Sequence, residues 1–280
     1  MNLLSEVRAM TDEEHRLLNE FVSNLYGIAF PNERRQLLES RLKPRLQALE
    51  MNRFMDYYLR LQYSFDDEVT EFTQLITNNE SYFFRETRQF DALLEEAWPQ
   101  LTEDVTGRPV RVLCAGCSSG EEPYTLRIFS ELQAHPTPRR KLEIDGFDID
   151  AERLETAKMA VYGQNSLRAT GESQIRRFFT RTGSERYSLN DPMRRGVRFS
   201  MGNILDVSAY PRAGSYDVLF CRNVLIYFSE RALHRAIENF ARAVRPGGYL
   251  FLGHAESIIG LSESFETVRF ERCIAYRRTQ

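Results

Sequence analysis

Lysine is scarce in this 280-residue chain: only Lys43, Lys141 and Lys158 are lysines among 37 basic residues, and arginine supplies the rest. Cysteine is also sparse. The four, at 114, 117, 221 and 273, lie in or beside expected strands, which suits reduced thiols better than a disulfide framework. Cys114 and Cys117 form one C-x-x-C with neither a second pair nor a neighbouring histidine, so no zinc centre, redox pair or other metal site is expected. No apolar run approaches the ~18–20 residues that span a bilayer, which excludes insertion by a transmembrane helix. The opening stretch MNLLSEVRAMTDEEH carries acids early and lacks a basic-then-apolar leader pattern, so a cytoplasmic location is expected. Internal repeats and low-complexity tracts are absent.

What remains is an ordinary globular composition, 42% hydrophobic and 28% charged, with enough chain for two domains. The net charge of −3 conceals two basic segments. Residues 34–53 hold six basic side chains, including Arg34, Arg35, Arg41 and Arg45, against two acids; residues 164–200 hold eight arginines against three acids. Either both are solvated faces, or they serve an acidic partner, since the guanidinium fork matches carboxylates and phosphates. Composition alone favours the solvated face.

The first ninety residues read as helical. TDEEHRLLNEFVSNLYG starts on a Thr or Asp cap, continues with acids and ends at Gly27. Leu38, Leu42, Leu46 and Leu49 form an amphipathic stripe, which Pro44 is expected to kink or split near residues 40–44. RFMDYYLRLQ and DDEVTEFTQLIT read as two further helices. From about residue 108 strands and helices alternate: RPVRVLCA, a helix over 121–134, KLEIDGFDID, AERLETAKMA, YDVLFCRN, SERALHRAIENFARAV and RPGGYLFLGH. That rhythm predicts right-handed βαβ units in a doubly wound, mostly parallel sheet. SFETVRFERCIAYRR adds two edge strands, and glycine-punctuated residues 163–200 read as an inserted antiparallel β-subdomain. The expected division is a helical domain over 1–78, a linker and connecting helix over 79–107, and the α/β domain over 108–280.

VLCAGCSSGEEPYTL (112–126) sets the chemistry. A strand, a turn of small residues and a helix place a ligand at a strand's carboxyl end. A dinucleotide would lay its pyrophosphate on the helix N-terminus, where Glu121 and Glu122 would repel it. An ammonium-bearing ligand without phosphate is favoured instead, and S-adenosylmethionine (SAM) is one. Asp148, at the tip of the second strand, is placed to accept hydrogen bonds from two ribose hydroxyls. It stands farther from Gly116 than the ~20 residues of the dinucleotide fingerprint. Singly, each acid also suits a helix first turn; together at two strand ends they favour SAM over a nicotinamide cofactor.

The chain resembles the CheR family of chemotaxis receptor glutamate methyltransferases over nearly its whole length. The motifs that carry the resemblance are NNESYFFRE (78–86), CSSGEEPYTL (117–126), DGFDID (145–150), FCRNVLIYF (220–228) and RPGGYLFLGHAES (245–257). It implies a Rossmann-like SAM-dependent methyltransferase domain behind an all-helical N-terminal domain, with a small β-subdomain. By position, Asn79, Ser81 and Arg85 resemble linker residues that close over the cofactor, and Arg85 is a catalytic candidate. Ser81 stands where family members often have Thr. Either Glu121 or Glu122 resembles the acid near the methionine moiety, and Asp148 matches the ribose acid. Asn203 and Ile204 resemble the pair framing the adenine; Arg222 and Asn223 match the strand end beneath the sulfonium. Tyr227 is the second catalytic candidate, facing the substrate carboxylate or else packed in LIYF, and His254 is read as structural.

The resemblance implies methyl transfer from SAM to receptor glutamates, leaving S-adenosylhomocysteine and a glutamate methyl ester. An ionised glutamate is already nucleophilic at neutral pH, so no general base is needed. Tyr82, Phe83 and Phe84 are expected to wall the pocket. A receptor helix bundle rich in glutamates is an acidic partner, which tips the basic stripe of Arg34, Arg35, Arg41 and Arg45 towards docking. A monomer that binds no nucleic acid is expected, and the short insert predicts methylation independent of a receptor C-terminal pentapeptide. A SAM enzyme with another substrate and a non-catalytic SAM-sensing or receptor-docking module share the same motifs.

Overall fold

The computed structural model describes residues 6–104, 107–132 and 142–280, with the side chains of 102–104 excepted; the start of the chain, residues 133–134 of the expected helix and Lys141 lie outside the described residues. The chain divides into two compact units, Met1–Asn78 with Tyr227–Leu233, and Asn79–Ile226 with His234–Gln280.

The first unit is built on α1 (Asp12–Tyr26), α2 (Arg35–Ala48), α3 (Phe54–Tyr63) and α4 (Phe65–Ile76). Thr11 and Glu14 form a reciprocal capping box at the start of α1, and Gly27 ends it in the left-handed region at φ 79°. The leucine stripe points inward: Leu38, Leu42 and Leu46 are fully buried and Leu49 caps the helix end. Pro44 does not split α2, which runs unbroken from Arg35 to Ala48. Buried Leu42 and Leu46 flank Pro44 on the core side, and this packing outweighs the lost backbone bond.

The second unit begins with a helical run of α5 (Arg88–Ala92), a π turn over Leu93–Ala97 and α6 (Trp98–Asp104). Among the described residues ten strands follow: β1 (Val110–Ala115), β2 (Leu142–Asp148), β3 (Val161–Gly163), β4 (Phe179–Arg181), β5 (Arg186–Leu189), β6 (Val197–Met201), β7 (Tyr216–Cys221), β8 (Val244–Leu252), β9 (Phe265–Arg269) and β10 (Ile274–Arg278). The main sheet has the order β6-β2-β1-β7-β8-β10-β9. Its first five strands are parallel, while β10 and β9 pair antiparallel, so the tail forms the expected edge. The central strands β1 and β7 are buried on both faces apart from Arg111, as their mainly apolar sequences lead one to expect, and Phe220 stacks on Phe251 with centroids 5.0 Å apart. The order reverses at β1, with β2 on one side and β7 on the other, and α7 (Glu121–Leu132) follows β1 there.

The insert is the antiparallel sheet β3-β5-β4, confined to residues 161–189. The rest of the stretch expected to be insert rejoins the main sheet: Pro192 opens a short helical turn, Gly196 turns at φ 78°, and β6 pairs with β2. Phe83 and Phe84 belong to the core of this region rather than to a pocket wall. Phe83 is fully buried, edge-on to Tyr162 and Phe179 at 4.8 and 5.0 Å, and Phe84 packs on Phe129. Two large apolar rings lose more by facing water than by filling this core.

Candidate active site at the strand ends

The turn after β1 needs glycine for its own geometry. Gly116 and Gly120 have φ 74° and 86°; a Cβ on Gly116 would fall 2.7 Å from Val224 Cγ2, and one on Gly120 2.9 Å from Ala157 Cβ. The turn also spends its amides internally. Gly116 and Cys117 donate to Phe147 O, Gly120 donates to Cys117 O, and Ser118 donates to Asp148 Oδ2 at 2.7 Å. A phosphate loop keeps such groups for its anion, so this turn is built for something else.

Asp148 is 7% exposed at the tip of β2. Its second oxygen accepts the Asp150 N–H at 3.0 Å, which leaves further lone pairs on both oxygens. Burial pushes the carboxyl above its usual range despite these backbone bonds. Asn79 reaches the same corner: its Nδ2 donates to Asp150 Oδ2 at 2.6 Å, and its carbonyl accepts Ser118 Oγ. Ser81 is half-buried two residues on.

The two helix-start glutamates part company. Glu121 is 1% exposed and accepts hydroxyl bonds from Ser119 at both oxygens and from Ser166. Glu122 pairs with Arg222 Nη1 at 2.9 Å, and burial raises its carboxyl beyond what Arg222 and Cys114 offset. The Arg222 side chain is 2% exposed. Its other nitrogen donates to the carbonyls of Arg85 and Glu86, and its guanidinium lies 4.9 Å over the Phe90 ring. Arg222 thus ties the linker to the end of β7.

Glu86 extends the network. It accepts Asn223 Nδ2 at 3.3 Å and lies 2.7 Å from His254 Nδ1. Burial would raise its carboxyl, yet Arg222, His254 and Asn223 hold it below the usual range. The Arg85 guanidinium donates to Glu80 O and faces the Tyr82 ring, over which Arg168 also stacks at 3.7 Å. Asn203 and Ile204 form a turn after β6: Asn203 Oδ1 accepts the Leu205 N–H, and Ile204 O accepts from Tyr210 and Asn239. Tyr227 falls in the helical unit, where its hydroxyl accepts from Asn78 and its ring lies under Arg34.

The sheet order and these strand-end carboxylates meet a direct comparison. The CheR methyltransferase SAM binding domain matches residues 79–274, and the CheR methyltransferase all-alpha domain matches residues 13–77. The chain belongs to the CheR methyltransferase family. It is 33% identical to chemotaxis protein methyltransferase 2 of Vibrio cholerae, over 95% of this chain and 93% of that one. It is 32% identical to the chemotaxis protein methyltransferase of Vibrio parahaemolyticus, over 96% and 98%. It is also 31% identical to the probable biofilm formation methyltransferase WspC of Pseudomonas aeruginosa, over 96% of this chain and 62% of that one.

The CheR chain is therefore a SAM-dependent methyltransferase, and its donor set fits the cofactor. Buried carboxylates that are only partly neutralised suit an ammonium, a sulfonium and a ribose diol, and they oppose phosphate. Among the described residues no acidic, histidine or cysteine cluster is able to hold a metal. All four cysteines are free, and burial pushes Cys114, Cys117 and Cys221 well above the usual thiol range. No described helix is long and apolar enough to cross a membrane.

Sequence reasoning passed over Glu86 and Glu256. Glu86 had a signal, since it closes the NNESYFFRE motif; Glu256 lay inside GHAES, where His254 drew the attention. The basic stripe is less free than its composition suggests. Arg35 pairs with Asp12 and Met10 O, Arg41 donates to Ile76 O at 2.6 Å, and Arg45 grips buried Glu68 with two bonds. Arg34 is exposed above Tyr227.

Proposed function

We propose that this chain methylates glutamate side chains of chemotaxis receptors from SAM, as a cytoplasmic monomer. The observation that carries the reading is the pair of carboxylates, buried Asp148 and half-buried Glu122, at successive strand ends of a CheR-family sheet, both raised above their usual range by desolvation. In this reading Asp148 accepts the two ribose hydroxyls, Asn203 and Ile204 frame the adenine, and Asn79 and Ser81 close from the linker side. Of the two helix-start acids, Glu122 is assigned to the methionine ammonium, because Glu121 is consumed by Ser119 and Ser166. Arg222 and Asn223 shape the floor under the sulfonium; Arg222 acts through Glu122 and the linker carbonyls.

The bound cofactor supplies an electrophilic methyl group on a cationic sulfur. The protein's part is to bind, align and dry the reactants. An acceptor glutamate with a pKa near 4.3 is ionised at neutral pH, so the site needs no general base. Charge is cancelled as the carboxylate attacks, and in-line placement supplies the main rate gain. Arg85, on the linker, is retained as a catalytic candidate, and Tyr227 as the candidate for the acceptor carboxylate. Docking to the glutamate-rich receptor bundle is assigned to Arg34 first, since the other members of its stripe hold partners within the helical unit. Incubation with methyl-labelled SAM and receptor-bearing membranes is the test. Base-labile label on the receptor is expected; base-stable label, label on nucleic acid, or SAM binding without transfer would each sink the assignment.

A further inference from the structure

Glu256 stands four residues past the end of β8, and its carboxylate is saturated by backbone. Oε2 accepts the N–H groups of Gly253 and Asn223 at 2.7 and 2.8 Å. Oε1 accepts those of Val224, Leu225 and Ile226 at 2.8, 2.7 and 3.3 Å. One side chain thereby ties the segment leaving β8 to the segment leaving β7. Such anion-to-amide bonds are charge-assisted and stronger than neutral ones.

The segment it holds is not in a relaxed conformation. Asn223 sits at φ 61°, in the left-handed region that non-glycine residues seldom enter, and this places its amide against Glu86. Gly253 makes room for the clamp. A Cβ there would lie 2.8 Å from Glu256 Oε2 and 2.9 Å from Asn223 N. Two residues, one supplying charge and one supplying space, thus converge on the backbone of 223–226.

We propose that Glu256 is a positioning residue for methyl transfer: its carboxylate presets the 223–226 loop, so that cofactor binds a loop already formed. The inference rests on reading these strand ends as the cofactor site. A ligand that need not order its own loop loses less affinity on binding. A purely structural clamp would support the fold and leave cofactor affinity alone.

Glu256→Gln keeps the size but has a single acceptor oxygen and turns an amide NH2 towards backbone donors. The expected result is an S-adenosylhomocysteine affinity lowered about tenfold, a KM for SAM raised with it, and a receptor KM unchanged. A folded variant with lowered melting temperature but wild-type affinity and KM for SAM overturns the proposal. Hydrogen exchange on the unaltered protein tests it without relying on the variant's folding. The amides of 223–226 and 253 are expected to be protected before ligand is added, and protection that arises only with S-adenosylhomocysteine overturns the presetting. Asp148→Asn run in parallel separates the two ideas. If it loses affinity while Glu256→Gln does not, only the Glu256 inference fails; if it keeps affinity, the underlying site assignment fails.

Discussion

Two buried acids, one in each unit, make the most instructive comparison in this molecule. Glu68 in the helical unit is 0% exposed, yet Arg45 and Arg60 bond it and Tyr57 donates a hydroxyl. These partners overcome its burial and hold the carboxyl below its usual range. Asp148 in the sheet unit is nearly as buried, but the partners described for it are backbone amides, and burial raises its carboxyl despite them. Glu122 has one arginine and is raised as well. A buried acid whose charge is fully answered belongs to the architecture. One whose charge is only partly answered is poised for a cation or a hydroxyl pair supplied from outside.

The largest effect expected to test this comparison is on stability. Arg45→Ala removes one partner of a buried carboxylate; Arg60 and Tyr57 keep hold of Glu68, so the loss is expected to be about 3 kcal/mol. Denaturant unfolding would read it, and S-adenosylhomocysteine affinity should not move. An unfolding free energy equal to that of the unaltered protein would mean that the Arg45 bonds add nothing net to the Glu68 cluster.

Asp148→Asn is expected to do the reverse. Calorimetry should show S-adenosylhomocysteine binding weakened roughly 10- to 100-fold, through loss of charge-assisted acceptors, with thermal stability kept or raised. A variant that binds normally would mean that the ribose lies elsewhere.

Acidification separates the two acids by sign. The folded-state carboxyl of Glu68 is depressed, so its stabilisation is present above the ordinary value near 4.3 and is lost as pH falls through the depressed value. Asp148 and Glu122 are raised, so on acidification they protonate first, and their protonation favours the folded state. Cofactor affinity is therefore expected to decline on the acid side, at a pH where the protein is still folded. Paired calorimetry and thermal melts between about pH 4 and 7 would check it; affinity and stability falling together would contradict the distinction.

The smallest effect concerns docking. Arg34→Glu is expected to raise the KM for receptor about threefold at low salt and to leave SAM alone, with the difference fading as exposed charges are screened. An unaltered receptor KM would return Arg34 to a solvated face.

Legibility followed the range of the interactions. The cap at Thr11, the stop at Gly27, the leucine stripe of α2 and the alternation of strand and helix were all readable, because neighbours a few residues apart decide them. So was the pairing of a small-residue turn with acids, which pointed from phosphate to SAM before any contact was known. At Pro44 the expected split did not occur, since the packing of Leu42 and Leu46 holds the helix together there. Phe83 and Phe84 misled for the same reason, their burial against Tyr162, Phe179 and Phe129 being invisible in a motif.

By itself the sequence determined the class of fold and the family. Those depend on local propensity, on hydrophobic period and on motifs in order. Only the tertiary structure gave Glu121 and Glu122 different partners, because Arg222 is a hundred residues from Glu122 and Ser166 forty-five from Glu121. It alone gave Arg45 a buried partner in Glu68. It alone brought Glu256 to the amides of Asn223 and its neighbours. A charge's role depends on what surrounds it in space, and chain order does not state which distant side chains will stand within three ångströms.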